Sequence, residues 1–214
     1  MKINESALFG GICDSDCEKM YKCLRAKTVG YCENETIYTY GESSLNIGIV
    51  LSGTVSLEKI DFDGNRTILD RLSSGDVFGE TEVFAPATGD EIIVVCESKC
   101  AIVFIPRAAI TQRCSKVCEC HTRLLDNLLE MISNKTKRLS ERVQILSNRT
   151  IRDKLMCFYM LEAAKQKSRK ILLPFSVSML ADYICADRSA MMREIGNMNR
   201  DGLIESDRRR ISLL

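Results

Sequence analysis

Turn-forming residues punctuate the chain between Thr36 and Ile105 at intervals of roughly eight to twelve residues, each stretch between them rich in β-branched or aromatic side chains. Thr36–Tyr40 stops at Gly41, and Ile47–Leu51 stops at Ser52-Gly53. Val55–Ile60 stops at the run from Asp61 to Asn65, and Thr67–Leu72 stops at Ser73-Ser74-Gly75-Asp76. Val77-Phe78-Gly79-Glu80, Ile92–Val95 and Ala101–Ile105 follow. Strands this short and this closely spaced predict a sandwich or barrel and exclude alternation of strand with helix.

The flanks read differently. Ser15–Leu24 predicts a short amphipathic helix capped by Ser15 or Asp14, with Cys17, Met20, Tyr21 and Leu24 on one face. From about Cys118 to Leu146 there is no Gly or Pro, and Leu125, Leu128, Ile132, Leu139, Val143 and Leu146 recur at spacings of three, four or seven. That is one long helix with a narrow apolar stripe. Either the stripe packs on its own domain, or it meets a second copy of itself about a two-fold axis. The length of the seam favours the dimer.

The last sixty-odd residues carry a third pattern. Ile151–Gln166 is helical in period, with Leu155, Phe158, Tyr159 and Leu161 among its apolar positions, and Ile171–Phe175 is strand-like. Ser176 is placed to cap a helix containing Met179, Leu180, Tyr183 and Ile184. Cys185-Ala186 makes a tight break, and Asp187 caps a second helix that runs to about Asp201 and stops at Gly202. Leu203–Glu205 and Arg210–Leu213 pair across a turn at Ser206–Arg209. Two helices, a tight break and a hairpin make a winged helix-turn-helix. On the second helix Met191, Ile195 and Met198 share one side, while Ser189, Arg193, Gly196 and Arg200 share the other, with Arg188 at the N-terminal tip. Guanidinium groups so placed suit guanine edges in a major groove, and Arg208 and Arg209 at the hairpin tip suit phosphates.

Charge supports a nucleic-acid-facing C-terminus. Residues 149–214 hold 13 Lys and Arg against 8 Asp and Glu, whereas the rest of the chain is net acidic. No apolar run is long enough to span a bilayer, and no secretory signal is visible, so a cytoplasmic location is expected. Eleven cysteines in such a setting are expected to be reduced. Cys114, Cys118, Cys120 and His121, with Cys100 brought near by folding, form a candidate zinc or iron–sulfur site or a redox centre. Their alternative role is packing against the strands. The spacing of Cys17 and Cys23 lets both pack on a helix face, and Cys157 and Cys185 are expected to pack. With a single His and no nucleophile-and-base arrangement, no enzyme is expected.

The succession Gly41-Glu42, Gly48–Val55, Gly64–Leu69 and Gly75–Glu80, followed by Leu180–Ile184, Asp187–Ala190 and Arg193-Glu194-Ile195, resembles the Crp/Fnr family of bacterial transcription regulators over nearly the whole chain. The resemblance implies an α+β fold: an N-terminal β-roll (a double-stranded β-helix) over 1–110, a dimerisation helix over 111–147 and a winged helix-turn-helix over 148–214. It implies a homodimer on a near-palindromic operator, in contact with RNA polymerase if it activates. It also implies an effector pocket around Phe78, Gly79, Glu80, Thr81, Asp90 and Glu91. Members that bind cyclic nucleotides follow the Gly-Glu by about ten residues with Arg-Ser; Asp90-Glu91 stands there instead, so the expected effector is a small molecule, redox or metal signal other than cyclic AMP. The chain carries Ser189 where the Crp and Fnr branches place a base-reading Glu, so its operator is expected to differ at that base pair. The N-terminal cysteines resemble the ligands of the oxygen-sensing branch, but their spacing is off by one residue. The competing expectation is a thiol-based redox or metal-binding protein whose C-terminal domain contacts protein.

Overall fold

A computed structural model describes residues 3–40, 45–61, 63–64, 66–84, 91–112 and 119–214. The chain divides into two compact units, Met1–Ser133 and Asn134–Leu214.

The first unit opens with two 3-10 turns, Ile3–Glu5 and Ala7–Phe9, and helix α1 (Asp14–Cys23). The residue preceding α1 is Cys13, so neither Ser15 nor Asp14 is the cap expected from sequence; Asp14 and Asp16 instead place carboxylates in the first turn, where the helix dipole favours them. Strands β1 (Lys27–Tyr31), β2 (Thr36–Thr39), β3 (Asn46–Ser52), β4 (Val55–Ile60), β5 (Arg66–Leu72) and β6 (Val77–Phe78) follow. Next come helix α2 (Glu80–Phe84), strands β7 (Glu91–Cys96) and β8 (Cys100–Pro106), and helix α3 (Arg107–Thr111). They form two antiparallel sheets of four strands, ordered β1-β8-β3-β6 and β2-β7-β4-β5.

Why β3 and β8 read as unbroken apolar runs is now plain: their sheet is covered on both faces. Val50 and Ile102 point to an inner core shared with Tyr38, Val55 and Val94 of the other sheet. Ile47, Ile49, Val103 and Ile105 point the opposite way, onto Leu8, Phe9, Leu24, Leu124 and Leu128. β1 gave no sequence signal because it is nearly all exposed and lacks alternation; the antiparallel register with β8, Lys27 opposite Phe104, defines it. A disulfide joins Cys96 to Cys100 across the β7–β8 turn, against the expectation that all thiols are reduced.

Helix α4 (Glu119–Leu146) runs from the first unit into the second. The second unit continues with α5 (Ile151–Gln166), β9 (Lys170–Leu172), α6 (Val177–Tyr183), α7 (Arg188–Arg200), β10 (Ile204–Asp207) and β11 (Arg210–Leu213). The strand-like run at Ile171–Phe175 shortens to Lys170–Leu172, and the hairpin starts one residue later than its composition suggested. β11 lies between β10 and β9. Leu155, Phe158, Tyr159, Leu180, Met191, Ile195, Met198 and Ile211 fill this unit's own core.

Candidate nucleic-acid interface and effector site

The caps that set α6 and α7 are both formed. Ser176 accepts from the Met179 N–H at 3.3 Å, and Asp187 accepts from the Ala190 N–H at 2.8 Å; each such cap contributes about 1 kcal/mol. Between the helices Cys185 takes a left-handed conformation (φ 51°), and the Ala186 N–H returns to the Ala181 carbonyl at 3.0 Å, closing α6 abruptly. From α5, Arg152 reaches two carboxylates along α7, Glu194 at 2.5 Å and Asp201 at 2.7 Å. The Arg152 guanidinium and then the Asn197 amide hold the Glu194 carboxyl below its ordinary value. Sequence reasoning missed this clamp, since nothing in the spacing of Arg152 and Glu194 marks them as neighbours.

Helix α7 is two-faced as its period requires. Met191, Ile195 and Met198 are buried, while Arg188, Ser189, Arg193 and Arg200 are exposed. A Cβ built on Gly196 would meet nothing within 4 Å, so this glycine is not needed for packing within the chain. Met192 stands exposed among the Arg side chains, a residue that reasoning from charge passed over. Arg200 donates to the Asn197 side chain one turn earlier. The hairpin tip holds Arg208 (φ 52°), Arg209 and Arg210, all exposed. Arg209 is partly committed to the fold: its guanidinium donates to the Leu173 carbonyl at 2.6 Å, and its own carbonyl accepts from the Leu173 N–H at 2.8 Å.

In the β-roll, the expected effector residues separate. Phe78 is buried within a series of edge-on rings: Tyr40 against Tyr38, Tyr38 against Phe78, Phe78 against Phe104, at centroid separations of 5.5, 6.0 and 6.2 Å. Gly48 of β3 has no side chain because a Cβ there would overlap the Phe78 ring. Gly79 has φ +80°, and its N–H donates to the Tyr40 hydroxyl at 3.1 Å. Glu80 is buried at the start of α2, whereas Thr81 is exposed. Asp90 lies outside the described residues; Glu91 begins β7 opposite Ile60.

Residues 28–116 match the family described as the cyclic nucleotide-binding domain. Among solved structures, the catabolite activator protein of Thermus thermophilus is similar over 98% of this chain and 94% of its own, at 16% identity and a TM-score of 0.57. CprK complexed with OCPA is similar over 92% and 91%, at 14% identity and a TM-score of 0.62. The c-di-GMP-responsive regulator CLP of Xanthomonas campestris is similar over 94% and 99%, at 17% identity and a TM-score of 0.53. The chain has the Crp/Fnr fold. None of the curated proteins matches the sequence.

In this Crp/Fnr-like frame Cys100 stands apart from the other members of the candidate thiol site. Cys114 and Cys118 lie outside the described residues. Cys100 belongs to the inner core of the roll, bonded to Cys96, while Cys120 packs at the edge of the other core with α4. Cys100 is therefore removed from the proposed cluster, because its sulfur is consumed and its strand faces the opposite side. His121 is buried, with Nε2 3.0 Å from the Ala109 carbonyl. Among the described residues no three His, Cys, Asp or Glu side chains converge on a metal position. No helix among the described residues is long and apolar enough to cross a membrane.

The apolar stripe of α4 also divides. Leu128 joins Leu124 in the core of the first unit, so it does not belong to an outward seam. Leu129, Leu139 and Val143 are 63%, 64% and 67% exposed. Replacing Leu128 by Leu129 gives Leu125, Leu129, Ile132, Thr136, Leu139, Val143 and Leu146, an unbroken alternation of four- and three-residue steps. That alternation is the spacing of a two-stranded coiled coil.

Proposed function

We propose that the chain is a homodimeric, sequence-specific DNA-binding regulator of transcription, controlled by an effector other than cyclic AMP. The carrying observation is α7: a capped helix with a fully apolar inner face and an outer face bearing Arg188, Ser189, Arg193 and Arg200. Arg188 and Arg193 contact base edges, Ser189 reads a neighbouring position, and Arg200 contacts the backbone near the far end of the helix. Arg208 takes phosphate at the wing, with Arg209 contributing whatever donors Leu173 leaves. The exposed stripe of α4 supports a parallel pair of α4 helices, which sets two copies of α7 about one duplex turn apart, roughly 34–36 Å. The division of labour follows the reading of 1–110 as sensor, 111–147 as dimer helix and 148–214 as DNA-binding domain. An activator would also touch RNA polymerase.

Two observations support an effector other than cyclic AMP. Between Gly79 and Glu91 the sequence has no Lys or Arg, so every charged side chain of this segment is a carboxylate and repels a cyclic phosphate. The Gly79 N–H is already engaged by Tyr40. CprK with OCPA and the c-di-GMP-responsive CLP are instances of this fold associated with other small molecules. An effector acts here only by favouring the DNA-competent arrangement of the dimer over the other.

The test is a selection of bound duplexes from a random library at fixed salt, repeated with Arg193→Ala. A near-palindromic motif should emerge, and Arg193→Ala should weaken it by about 1–3 kcal/mol, roughly 5- to 150-fold, with the dimer intact. Absence of any enriched duplex would favour the competing role in which the C-terminal unit contacts protein. Micromolar cyclic AMP binding by calorimetry would overturn the effector reading.

A further inference from the structure

We propose that Cys13 and Cys120 form a peroxide-reactive dithiol that closes to a disulfide, joining the start of α1 to the start of α4 within one chain. Cys13 is exposed at the head of α1, and its thiol donates to Asp16 Oδ2 at 3.2 Å. Cys120, half-buried in the first turn of α4, lines the same cleft as Asp16. Both line one cleft of about 790 Å³, together with Asp16, Glu119, Arg123 and Asp126. Folding brings the two sulfurs to one cleft beside Asp16, although 106 residues separate them in sequence.

The surrounding structure holds the two segments together before any bond forms. The Asn127 amide of α4 donates to the carbonyls of Leu8 and Gly10, each at 3.0 Å, and Leu8, Phe9 and Ile12 share a core with Leu124. Lys19 pairs with Asp16 at 2.8 Å and offsets its charge beside the thiols. Among the described residues, the nearby thiol of Cys17 is unsuited to the reaction. Cys17 is buried and directs its Sγ to the Ile12 carbonyl at 3.6 Å. Burial first, and then Asp14 and the neighbouring thiols, push its proton loss upward, so it stays the less nucleophilic form. A metal site needs three or four converging ligands, whereas a disulfide needs only two sulfurs.

The oxidant is a hydroperoxide. The Cys13 thiolate attacks one peroxide oxygen, the O–O bond breaks, and the alcohol (water, for hydrogen peroxide) leaves with the thiol's proton, giving a sulfenic acid. The Cys120 sulfur then attacks the Cys13 sulfur; the S–O bond breaks and water leaves with the Cys120 proton. Two thiols are oxidised by two electrons in total, and one peroxide is reduced to alcohol and water.

The experiment uses the full reduced chain, one equivalent of hydrogen peroxide, alkylation of the remaining thiols and peptide mapping by mass spectrometry. The expected product is a dithiothreitol-reversible link between the Cys13 and Cys120 peptides in a species that runs as a monomer on a non-reducing denaturing gel. Cys13→Ser and Cys120→Ser should each abolish it, and Cys157→Ser should leave it unchanged. Circular dichroism of each variant verifies folding, and alkylation of Cys13 in folded Cys120→Ser checks that its thiol remains accessible. Sulfinic acid at Cys13 with Cys120 alkylated, a link from Cys13 to a different cysteine, or a covalent dimer would each overturn the proposal.

Discussion

In the first half of α4, Leu124 and Leu128 are buried against the outer face of the β-roll; in the second half, Leu139 and Val143 stand about two-thirds exposed. One helix thus uses two stripes. The step from Leu124 to Leu128 belongs to the fold of the first unit, with Leu125 and Ile132 packed against the edge of that core, while Leu129, Leu139 and Val143 stay exposed. Periodicity reports that a helix has an apolar side. It does not report which surface covers it, since Leu128 and Leu129 are adjacent in sequence and differ by only 100° around the axis.

The sharpest way to break this comparison is to charge the exposed series. Leu139→Asp with Val143→Asp should convert the proposed dimer to monomer in sedimentation equilibrium and abolish operator binding, because four carboxylates would face each other across a dry seam. The same double variant should keep its helical circular dichroism. If it stays dimeric, the stripe is not the interface.

The buried half answers in the opposite sense. Leu124→Ala removes a side chain with no exposed surface and should destabilise the first unit by about 2–5 kcal/mol, read as a lower urea midpoint for the roll. Association through the second half of α4 should persist while the chain is folded. A shift below about 1 kcal/mol would mean that the core around Leu124 collapses readily onto Ile47, Ile105 and Phe9.

How much was legible in the sequence follows the same line. Caps at Ser176 and Asp187, the break at Cys185 and the polarity of α7 all depend on residues within a few positions of one another, and local chemistry specifies them. The strands of the roll were visible because turn residues bound them. Two features that were not visible needed distant partners: β1, which has no alternation and exists through β8, and the Arg152–Glu194 pair, 42 positions apart. The Cys96–Cys100 disulfide is local, four positions apart, and was hidden instead by the expectation of reduced thiols. The candidate effector residues show the limit most clearly, since Phe78 and Glu80 are two positions apart, yet the ring is buried against aromatics from two other strands, Tyr38 of β2 and Phe104 of β8.

A smaller effect separates reading from positioning on the DNA-facing surface. Arg208 is exposed at the wing, whereas Arg209 is tied to Leu173. Arg208→Ala should weaken all duplexes by a similar factor and lower the slope of log affinity against log salt by about 1, without changing the selected motif. Arg209→Ala should in addition loosen the β9–β11 edge, detectable as faster amide exchange at Leu173.

The smallest effect lies in the clamp that orients α7. Glu194 titrates below its ordinary value of 4.5 because Arg152, and secondarily Asn197, hydrogen-bond its charged form. A carboxylate depressed in the folded state adds stability that is fully present above its unfolded value and is lost as pH falls through the folded one. The contribution is therefore intact at neutral pH and disappears only below about pH 4.5. Glu194→Gln should show a shallower fall of thermal midpoint with acid than the parent across that window. Because Arg152 also reaches Asp201 at 2.7 Å, α7 should keep its attachment to α5 at the far end, so operator affinity at neutral pH should drop far less in Glu194→Gln than in Arg152→Ala, where both contacts are lost together.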